Sequence, residues 1–305
     1  MSLDEATTAF LAQAAEDGGK PLYEMTPDEV RSMNDSFIEL YGPGPDMASV
    51  ENLTVEAADG YEIPVRVLTP SEDPRGVLIY YHGGGWVVGN PDQFDTLARQ
   101  LAAGTGCTVV LPDYRLAPEN VYPAAANDAW DVAIWTAKRF GDLPLLVGGD
   151  SSGGNLAAVV AQQAAREGAP TISFQALVYP VTDSDTENAT YLDPANQLML
   201  DKKSMDWFWE LYTPDASTRA NPNVSPLQGD VSGTAPAVVL IAEHDVLRGE
   251  GEAYAAKLEA AGVPVQTRVF DGQMHGFFQF VNILPGSADG IEYVCTAVTA
   301  HLDSL

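Results

Sequence analysis

Residues 145–160 read Leu-Leu-Val-Gly-Gly-Asp-Ser-Ser-Gly-Gly-Asn-Leu-Ala-Ala-Val-Val, and this stretch decides the fold. The apolar run 145–147 stands between a proline and a glycine, which is typical of a buried parallel strand. From Leu156 onward the residues favour a helix, with no breaker for eleven positions. A strand and a helix therefore meet at a glycine-rich turn around Ser151.

That turn carries the pattern Gly-x-Ser-x-Gly over residues 149–153, in the setting of a nucleophile elbow. The chain must reverse from strand to helix within a few residues, so we expect a strained backbone at Ser151 and a hydroxyl that projects above the sheet edge. The helix N-terminus behind it offers free N–H groups to a developing anion. A glycine-rich turn with a solvated serine is the alternative, so the rest of the chain must supply a base, an acid and an oxyanion hole.

A run of three glycines, in His82-Gly83-Gly84-Gly85-Trp86, follows the predicted strand 76–81. Successive glycines let a backbone turn its N–H groups into a cavity, where they can bind the oxyanion of a tetrahedral intermediate. We expect Gly83 and Gly84 to supply two such groups, and Ser152, just after the candidate nucleophile, to supply a third. His82 fits a role in holding this loop better than a role as the base.

The candidate base is His275, in the glycine-flanked turn that follows the predicted strand 265–270. A surface histidine is the alternative interpretation of this position. Among the other histidines, His301 lies in a C-terminal helix, where we expect it to be solvated. His244 directly precedes Asp245, so its side chain should point away from that residue.

The candidate acid is Asp245, just after the predicted strand 237–242, with Glu243 as the less favoured alternative. The chain order Ser151, Asp245, His275 is the order expected of an α/β-hydrolase triad. All these candidates fall at the ends of predicted parallel strands, which is where open α/β sheets place their sites.

Composition excludes several classes of function. The 305 residues are 46% hydrophobic, enough for one large α/β domain, and 15 basic against 43 acidic residues give a formal charge of −28. Such a surface repels nucleic acid and anionic membranes, so we expect neither as a partner. The acidity indicates either an ordinary acidic protein, which we favour, or adaptation to salt.

Further patterns bear on compartment and cofactor. Cys107 and Cys295 lie far apart and are expected to be buried thiols in a reducing compartment. The acidic start of the chain lacks the cationic and apolar segments of a signal peptide, and no run of 18 apolar residues occurs, so a cytoplasmic location is expected. The glycine loop lacks the lysine of a phosphate-binding motif. No metal ligand set is predicted.

From Val50 onward strands alternate with helices, which predicts a mainly parallel sheet covered on both faces. We divide the chain into an N-terminal helical part of a cap (1–48), a first part of the core (49–181), an inserted helical cap (182–226) and a second part of the core (227–305). A long surface excursion is the alternative for 182–226, but it would expose three consecutive aromatic residues. The predicted N-terminal elements are a helix over 6–15 and a second helix from Thr26 to about Leu40. The predicted strands are 50–55, 61–68, 76–81, 108–111, 145–147, 174–179, 237–242 and 265–270, and the remaining predicted helices are 94–103, 123–140, 249–261, one from 156 and one from about 290.

Five motifs together resemble the hormone-sensitive-lipase family of bacterial carboxylesterases. They are His82-Gly83-Gly84-Gly85-Trp86, Asp113-Tyr114-Arg115-Leu116-Ala117-Pro118-Glu119, Gly149-Asp150-Ser151-Ser152-Gly153-Gly154-Asn155, Asp245-Val246-Leu247-Arg248 and Met274-His275-Gly276-Phe277. The resemblance implies an α/β-hydrolase fold with a two-part helical cap, no cofactor, esterase action on short acyl chains and, in some members, a homodimer formed through a sheet edge. Ser152 departs from the alanine typical of the family, so its hydroxyl could alter the pocket.

The sequence thus predicts a serine carboxylesterase whose partner is a small ester. Aromatic and aliphatic side chains near the motifs are the candidate pocket walls: Trp86, Leu200, Trp207, Phe208 and Phe277. An amidase or formamidase could share every motif, and a non-catalytic binding protein of the same fold is the alternative from another class.

Overall fold

The computed structural model describes residues 2–16 and 18–305, and its eight strands form one sheet. The strands are β1 (Ser49–Glu56), β2 (Glu62–Thr69), β3 (Val77–Tyr81), β4 (Thr108–Pro112), β5 (Leu145–Asp150), β6 (Ile172–Val178), β7 (Ala237–His244) and β8 (Val265–Met274). Their spatial order is β1-β2-β4-β3-β5-β6-β7-β8. The two pairings of β2 are antiparallel and the other five are parallel, so the prediction of a mainly parallel sheet is confirmed.

Helices cover both faces of this sheet. They are α1 (Glu5–Glu16), α2 (Pro27–Asp35), α3 (Ile38–Tyr41), α4 (Asp95–Thr105), α5 (Ala124–Phe140), α6 (Ser152–Glu167), α7 (Ala189–Leu192), α8 (Lys202–Tyr212), α9 (Arg248–Ala260) and α10 (Pro285–Asp303). Successive side chains of β3 point to opposite faces, as the pleat requires. Val77 and Ile79 join a core cluster beneath α5, α6 and α9, whereas Leu78 and Tyr80 join a second cluster beneath α4 and α10.

Several boundaries differ from the sequence prediction. β5 continues through the glycines to Asp150, and α6 begins at Ser152 rather than at Leu156. Glycines are poor formers of either element in isolation, but here burial and close packing outweigh local propensity. In the same way β8 reaches Met274, and α10 begins at Pro285, where a proline suits the first turn of a helix.

The N-terminal helices also differ in one place. Thr26 and Glu29 form the predicted capping box, with the Glu29 N–H donating to Thr26 Oγ1 and the Thr26 N–H donating to the Glu29 carboxylate. The helix does not run unbroken to Leu40, however, because a turn at Ser36 and Phe37 separates α2 from α3. This turn lets Phe37 contact the ring of Phe280 at a centroid distance of 5.7 Å.

Residues 182–226 are all described, and they form no strand. Both ends of this insert are held by the core. Asn155 of α6 donates through Nδ2 to the carbonyls of Val181 and Val224, at 2.9 and 2.8 Å. Of the three consecutive aromatic residues, Trp207 is half-buried and the next two are buried. The insert therefore packs onto the core instead of extending into solvent.

The motif around Arg115 forms a network of ion pairs that is buried at Asp128 and exposed at Asp59. The Arg115 guanidinium donates to both carboxylate oxygens of Asp128, which is fully buried in α5, and to Asp59 in the turn between β1 and β2. Its Cζ also lies 4.5 Å from the ring centroid of Tyr61. These contacts fasten the antiparallel edge of the sheet to α5.

Both cysteines are buried and unpaired, and burial raises the pKa of Cys107 to about 11 and that of Cys295 to about 12. Among the described residues, no three or more His, Cys, Asp or Glu side chains are placed to hold a metal ion. Over the same residues, none of the helices has the length and apolar character needed to cross a bilayer.

Candidate active site

Ser151 lies at the strand-to-helix reversal between β5 and α6, and its backbone has φ of +54° and ψ of −120°. A positive φ is strained for any residue with a side chain, so the surrounding contacts must impose it. The Ser151 N–H donates to the carbonyl of Val178 at 2.9 Å. A Cβ on Gly149 would collide with the backbone of Gly153 and Tyr81, and a Cβ on Gly153 would collide with the backbone of Tyr81 and His82. The Gly-x-Ser-x-Gly spacing is therefore a steric requirement of this turn.

The three predicted triad side chains form one continuous chain of hydrogen bonds. His275 Nε2 lies 3.0 Å from Ser151 Oγ, and His275 Nδ1 lies 2.7 Å from Asp245 Oδ2. The other carboxylate oxygen of Asp245 accepts the Leu247 N–H at 2.9 Å, so the carboxylate cannot rotate freely. Since Asp245 is buried and acceptor-only when ionised, it holds the proton of the imidazole on Nδ1 and leaves Nε2 free to accept from the serine.

His275 owes its position to the end of β8 and to the ring beneath it. Gly276, which follows the histidine, has φ of +84°, and this lets the chain turn away immediately after the imidazole. The ring of Tyr179 lies 4.6 Å from the imidazole centroid. Tyr179 is itself buried with a φ of +32°, another strained residue next to the site.

The oxyanion loop differs from the prediction in one donor. The Gly83 N–H donates to Asp150 Oδ1 at 3.0 Å, so this group is already engaged. Within the described part of the chain, no hydrogen bond occupies the N–H groups of Gly84, Gly85 or Ser152. The N–H of Gly85 is therefore a candidate oxyanion donor in place of the N–H of Gly83. The reason is the Asp150 side chain, which no spacing rule reveals.

Gly84 and Gly85 adopt conformations that require glycine. Their φ values are +115° and +59°, and both positions lack room for a Cβ. At Gly84 the obstacle is the carbonyl of Val88, and at Gly85 it is the ring of Phe208 from the insert 182–226. Helix α8 of this insert thus packs directly onto the candidate oxyanion hole.

The other histidines and the alternative acid make structural contacts outside the hydrogen-bonded chain of Ser151, His275 and Asp245. His82 is fully buried, which lowers its pKa to about 4, and its Nδ1 lies 2.8 Å from the carbonyl of Gly83, so it braces the loop as a neutral ring. Glu243 accepts the Gly272 N–H at 2.7 Å and joins β7 to β8. His301 is half-buried rather than solvated, because its Nε2 lies 2.6 Å from Ser173 Oγ and its ring stacks on Phe174. His244 Nε2 lies 3.7 Å from the Glu243 carboxylate, and it makes no hydrogen bond to Ser151 or Asp245.

Ser151 and His275 open into a cavity of about 520 Å³ between the core and the two helical segments. Leu200 and Phe208 line it as predicted, but Trp86, Trp207 and Phe277 do not. Further lining residues that the sequence analysis missed come from the N-terminal helices and from the chain after β8: Phe10, Leu11, Met33, Phe37, Tyr41 and Phe280. A wider groove of about 720 Å³ lies between α4 and α10 and contains none of the candidate site residues.

The three aromatic residues outside the cavity wall have structural positions. Trp86 is fully buried and stacks on Tyr212 of α8, with ring centroids 4.3 Å apart. Phe277 is buried against Phe270, and Trp207 is half-buried with an edge contact to Phe208. A sequence pattern shows that such rings are buried, but it does not show whether they face a cavity or the core.

The hydroxyl of Ser152 points into the core and does not reach the cavity. It is fully buried, and its neighbour is the hydroxyl of Tyr114. Burial raises the pKa of Tyr114 well above its ordinary value, and the Ser152 hydroxyl offsets part of that effect. The exchange of alanine for serine at this position therefore leaves the wall of the cavity unaltered.

Comparison with known proteins finds relatives over nearly the whole chain. A family model described as alpha/beta hydrolase fold matches residues 78–279. An ethyl acetate hydrolase from Pseudomonas putida is 35% identical, with 99% of this chain and 100% of that protein covered. The carboxylic ester hydrolase LipN of Mycobacterium tuberculosis is 40% identical over 85% of this chain and 73% of its own.

Solved structures give the same picture. A thermostable esterase from Pseudomonas putida superposes with a TM-score of 0.92 at 36% identity, covering 99% of this chain and 98% of that chain. A hyperthermophilic esterase from Pyrobaculum calidifontis has a TM-score of 0.92 at 32% identity, covering 98% of this chain and 99% of that one.

Proposed function

We propose a reaction for this chain, which belongs to the α/β-hydrolase fold family and, within it, to the hormone-sensitive-lipase group of carboxylesterases. The chain is a carboxylic ester hydrolase, and its proposed reaction is the hydrolysis of short-chain esters by Ser151 through an acyl-enzyme. One observation carries this proposal: the Ser151 hydroxyl, His275 and Asp245 form one hydrogen-bonded chain whose open end faces the cavity.

In the first half of the reaction, His275 Nε2 removes the proton of the Ser151 hydroxyl while Oγ attacks the ester carbonyl. Asp245 stabilises the imidazolium that forms. The carbonyl oxygen becomes an oxyanion, which the N–H groups of Gly84, Gly85 and Ser152 bind at the N-terminus of α6. When the intermediate collapses, the imidazolium gives its proton to the departing alcohol, and the acyl group stays on Ser151.

In the second half, His275 removes a proton from water, which attacks the acyl-enzyme carbonyl. A second oxyanion forms in the same place and collapses to release the carboxylic acid, and the proton returns from the imidazolium to Ser151 Oγ. Each proton that the histidine takes up is given back, so the enzyme ends the cycle as it began.

The cavity supports a small, uncharged and largely apolar substrate. Its wall is mostly aliphatic and aromatic, and the ring of Phe208 stands directly against Gly85. An acyl chain seated with its carbonyl oxygen near Gly85 therefore meets a bulky ring within a few carbon atoms. The formal charge of −28 further disfavours anionic substrates. A relative named for ethyl acetate hydrolysis is consistent with a short acyl group.

Replacement of the nucleophile tests the proposal. We expect Ser151→Ala to lower turnover of p-nitrophenyl butyrate by about 10⁴ or more and to abolish labelling by a fluorophosphonate probe. Ser173→Ala is the matched control, because it removes a serine that also contacts a histidine but lies outside the cavity. Near-normal hydrolysis by Ser151→Ala would refute the assignment, and failure of the wild-type protein to be labelled would favour a non-catalytic binding role.

Paired substrates separate the esterase from an amidase on the same side chains. We expect p-nitrophenyl butyrate to be cleaved far faster than the corresponding anilide, because the amine is the poorer leaving group and needs a proton in the transition state more than the phenol does. A kcat/KM for the anilide that equals or exceeds that for the ester would assign the chain to the amidases.

A further inference from the structure

Asp150 is a buried carboxylate that none of the steps above uses. It precedes the nucleophile and lies at the base of the cavity. A single oxygen, Oδ1, accepts both the Tyr80 hydroxyl and the Gly83 N–H, each at 3.0 Å. Building on the proposed function, we propose that Asp150 is a positioning residue: it locks the oxyanion loop onto the nucleophile elbow, so that the Gly84 and Gly85 N–H groups face the reacting carbonyl.

The backbone pairing between β3 and β5 ends before it reaches Gly83 and Asp150. β3 and β5 are parallel neighbours, and the last pair in their register is Tyr81 with Gly149. Beyond that pair the two chains diverge, one into the oxyanion loop and the other into the elbow. The bond from the Gly83 N–H to Asp150 lies just past the end of the ladder. A side chain therefore supplies the connection that the backbone no longer makes.

One peptide bond at each end links the hydrogen bond between Gly83 and Asp150 to the reacting groups. Asp150 is one peptide bond from Ser151, and Gly83 is one peptide bond from Gly84. The distance between Oγ and the loop donors is thus set through a short rigid path rather than through the flexible length of the loop. Oxyanion donors act only when they lie near 3 Å from the developing charge, so a shift of the loop by about 1 Å would weaken them strongly.

The packing around Gly83 is consistent with this role. A Cβ at Gly83 would collide with the Asp150 carboxylate, so the loop lies directly on it. Immediately afterwards the Gly84 carbonyl accepts the N–H groups of Val87 and Val88, which closes a tight turn. Fixing Gly83 therefore fixes the entry to a turn that is already internally rigid.

The ionised carboxylate is costly at this place. Burial raises the pKa of Asp150 to about 6, although the Tyr80 hydroxyl, His275 and the Gly83 N–H each act to lower it. In turn its charge helps to raise the pKa values of the surrounding tyrosines, which are Tyr41, Tyr80, Tyr114 and Tyr179. If this side chain only stabilised the fold, a neutral hydrogen-bond acceptor would do so at a lower free-energy cost of burial. The position of the carboxylate is therefore better explained by the site that it aligns.

The test compares two substitutions of Asp150 with a control on the same strand pair. Asp150→Ala removes the acceptor, and we expect kcat for p-nitrophenyl butyrate to fall by about 10²–10³ with KM within about threefold, which is the pattern of lost transition-state binding. Asp150→Asn keeps a neutral, weaker acceptor at the same place and should recover about tenfold of that loss, which leaves its kcat about 10–10² below that of the wild type. Tyr81→Phe removes a buried hydroxyl that donates to the Ala129 carbonyl on the opposite face, and it should leave kcat unchanged.

Binding of an alkyl trifluoromethyl ketone supplies a readout that a purely structural role would not move. This inhibitor forms an oxyanion on the nucleophile, so its Ki should rise in parallel with the loss of kcat/KM across the Asp150 variants. The melting temperature of Asp150→Asn at pH 8 should equal or exceed that of the wild type. Variants with kcat within about threefold of the wild type, or an unchanged Ki, would overturn the proposal.

Two safeguards keep the outcome clear. If Asp150→Ala does not fold, Asp150→Asn decides alone, since a wild-type kcat and Ki in that variant would contradict the role. The proposed function fails in a different way, through a wild-type protein that is neither labelled at Ser151 nor active on esters. An active wild type that depends on Ser151, with Asp150 variants of equal activity, would refute the positioning role alone.

Discussion

Asp245→Asn separates the charge of the candidate acid from its geometry. In the wild type, Oδ1 accepts the Leu247 N–H at 2.9 Å and Oδ2 faces His275 Nδ1 at 2.7 Å. An asparagine has only one acceptor oxygen, so that oxygen can face either the Leu247 N–H or His275 Nδ1, and the NH₂ group faces the other. If the NH₂ group faced the Leu247 N–H, two donors would meet in a buried place, at a cost of about 1–3 kcal/mol.

The favoured arrangement keeps the oxygen on Leu247 and turns the NH₂ group toward His275. The imidazole must then accept at Nδ1 and carry its proton on Nε2, where it can no longer accept from Ser151. We expect kcat to fall by about 10⁴, which is about 5 kcal/mol of transition-state stabilisation. The imidazolium also loses its buried counter-charge, which acts in the same direction.

The assay is p-nitrophenyl butyrate hydrolysis at pH 7.5. The concentration of active wild-type enzyme, from which its kcat is calculated, is taken from the fraction of protein that a fluorophosphonate labels. Glu243→Gln is the control, because it neutralises a buried carboxylate two residues away that bonds to the Gly272 N–H. It should keep kcat within about threefold, since it touches none of the reacting groups. An Asp245→Asn variant that retains more than about a tenth of wild-type kcat, with unchanged folding, would refute the tautomer argument.

Three further results are expected. Phe208→Ala should shift the preferred acyl chain of p-nitrophenyl esters from butyrate toward octanoate, because the ring that stands against Gly85 is removed; an unchanged chain-length profile would place the acyl group elsewhere. Asp128→Ala should destabilise the fold by about 3–5 kcal/mol in urea unfolding, because Arg115 loses its buried partner, whereas truncating the exposed Asp28 should cost well under about 1 kcal/mol. Folding raises the pKa of Asp150 from its ordinary value to about 6, so the folded protein holds this proton more tightly than the unfolded chain does. The free energy of unfolding of the wild type should therefore fall as the pH rises from about 4 to about 6. Asp150→Asn should not show this fall, and the difference between the two proteins should reach at most about 3 kcal/mol by pH 7.

The residues of the candidate triad were accessible to sequence reasoning because parallel strands end at a common edge. Each of Ser151, Asp245 and His275 follows a predicted parallel strand, so the topology alone places all three at one edge of the sheet. The structure brings them within hydrogen-bonding distance. At these three positions the local sequence pattern and the topology of the sheet predict the same location.

The choice of oxyanion donors was not accessible in the same way. Three consecutive glycines look alike in sequence, and the difference between Gly83 and Gly85 arises only when the Asp150 side chain takes up the first N–H. Three of the five predicted pocket residues do not line the cavity, for a related reason. Trp86 and Phe208 are both buried aromatic residues close to the loop, but one stacks within the core and the other borders the cavity. Burial can be predicted from apolarity, whereas orientation depends on neighbours that are distant in sequence.

The break between α2 and α3 shows a third limit. The residues from Pro27 to Tyr41 contain no glycine, and proline stands only at the first position, where helices tolerate it. Local propensity therefore favoured one continuous helix. The turn at Phe37 forms because it lets that ring reach Phe280, a contact made possible only by the folded C-terminal part of the core.

Much of the cavity wall comes from residues 10–41 and from the insert between β6 and β7, while Ser151, Asp245 and His275 directly follow β5, β7 and β8. Much of substrate recognition is thus encoded in stretches of the gene separate from those that encode the reacting groups. An engineer could exchange the leading segment for that of a relative as a cassette, and so obtain enzymes that share one chemistry but admit differently shaped molecules. The same division means that an affinity tag fused at the start of the chain should be removed before selectivity is measured.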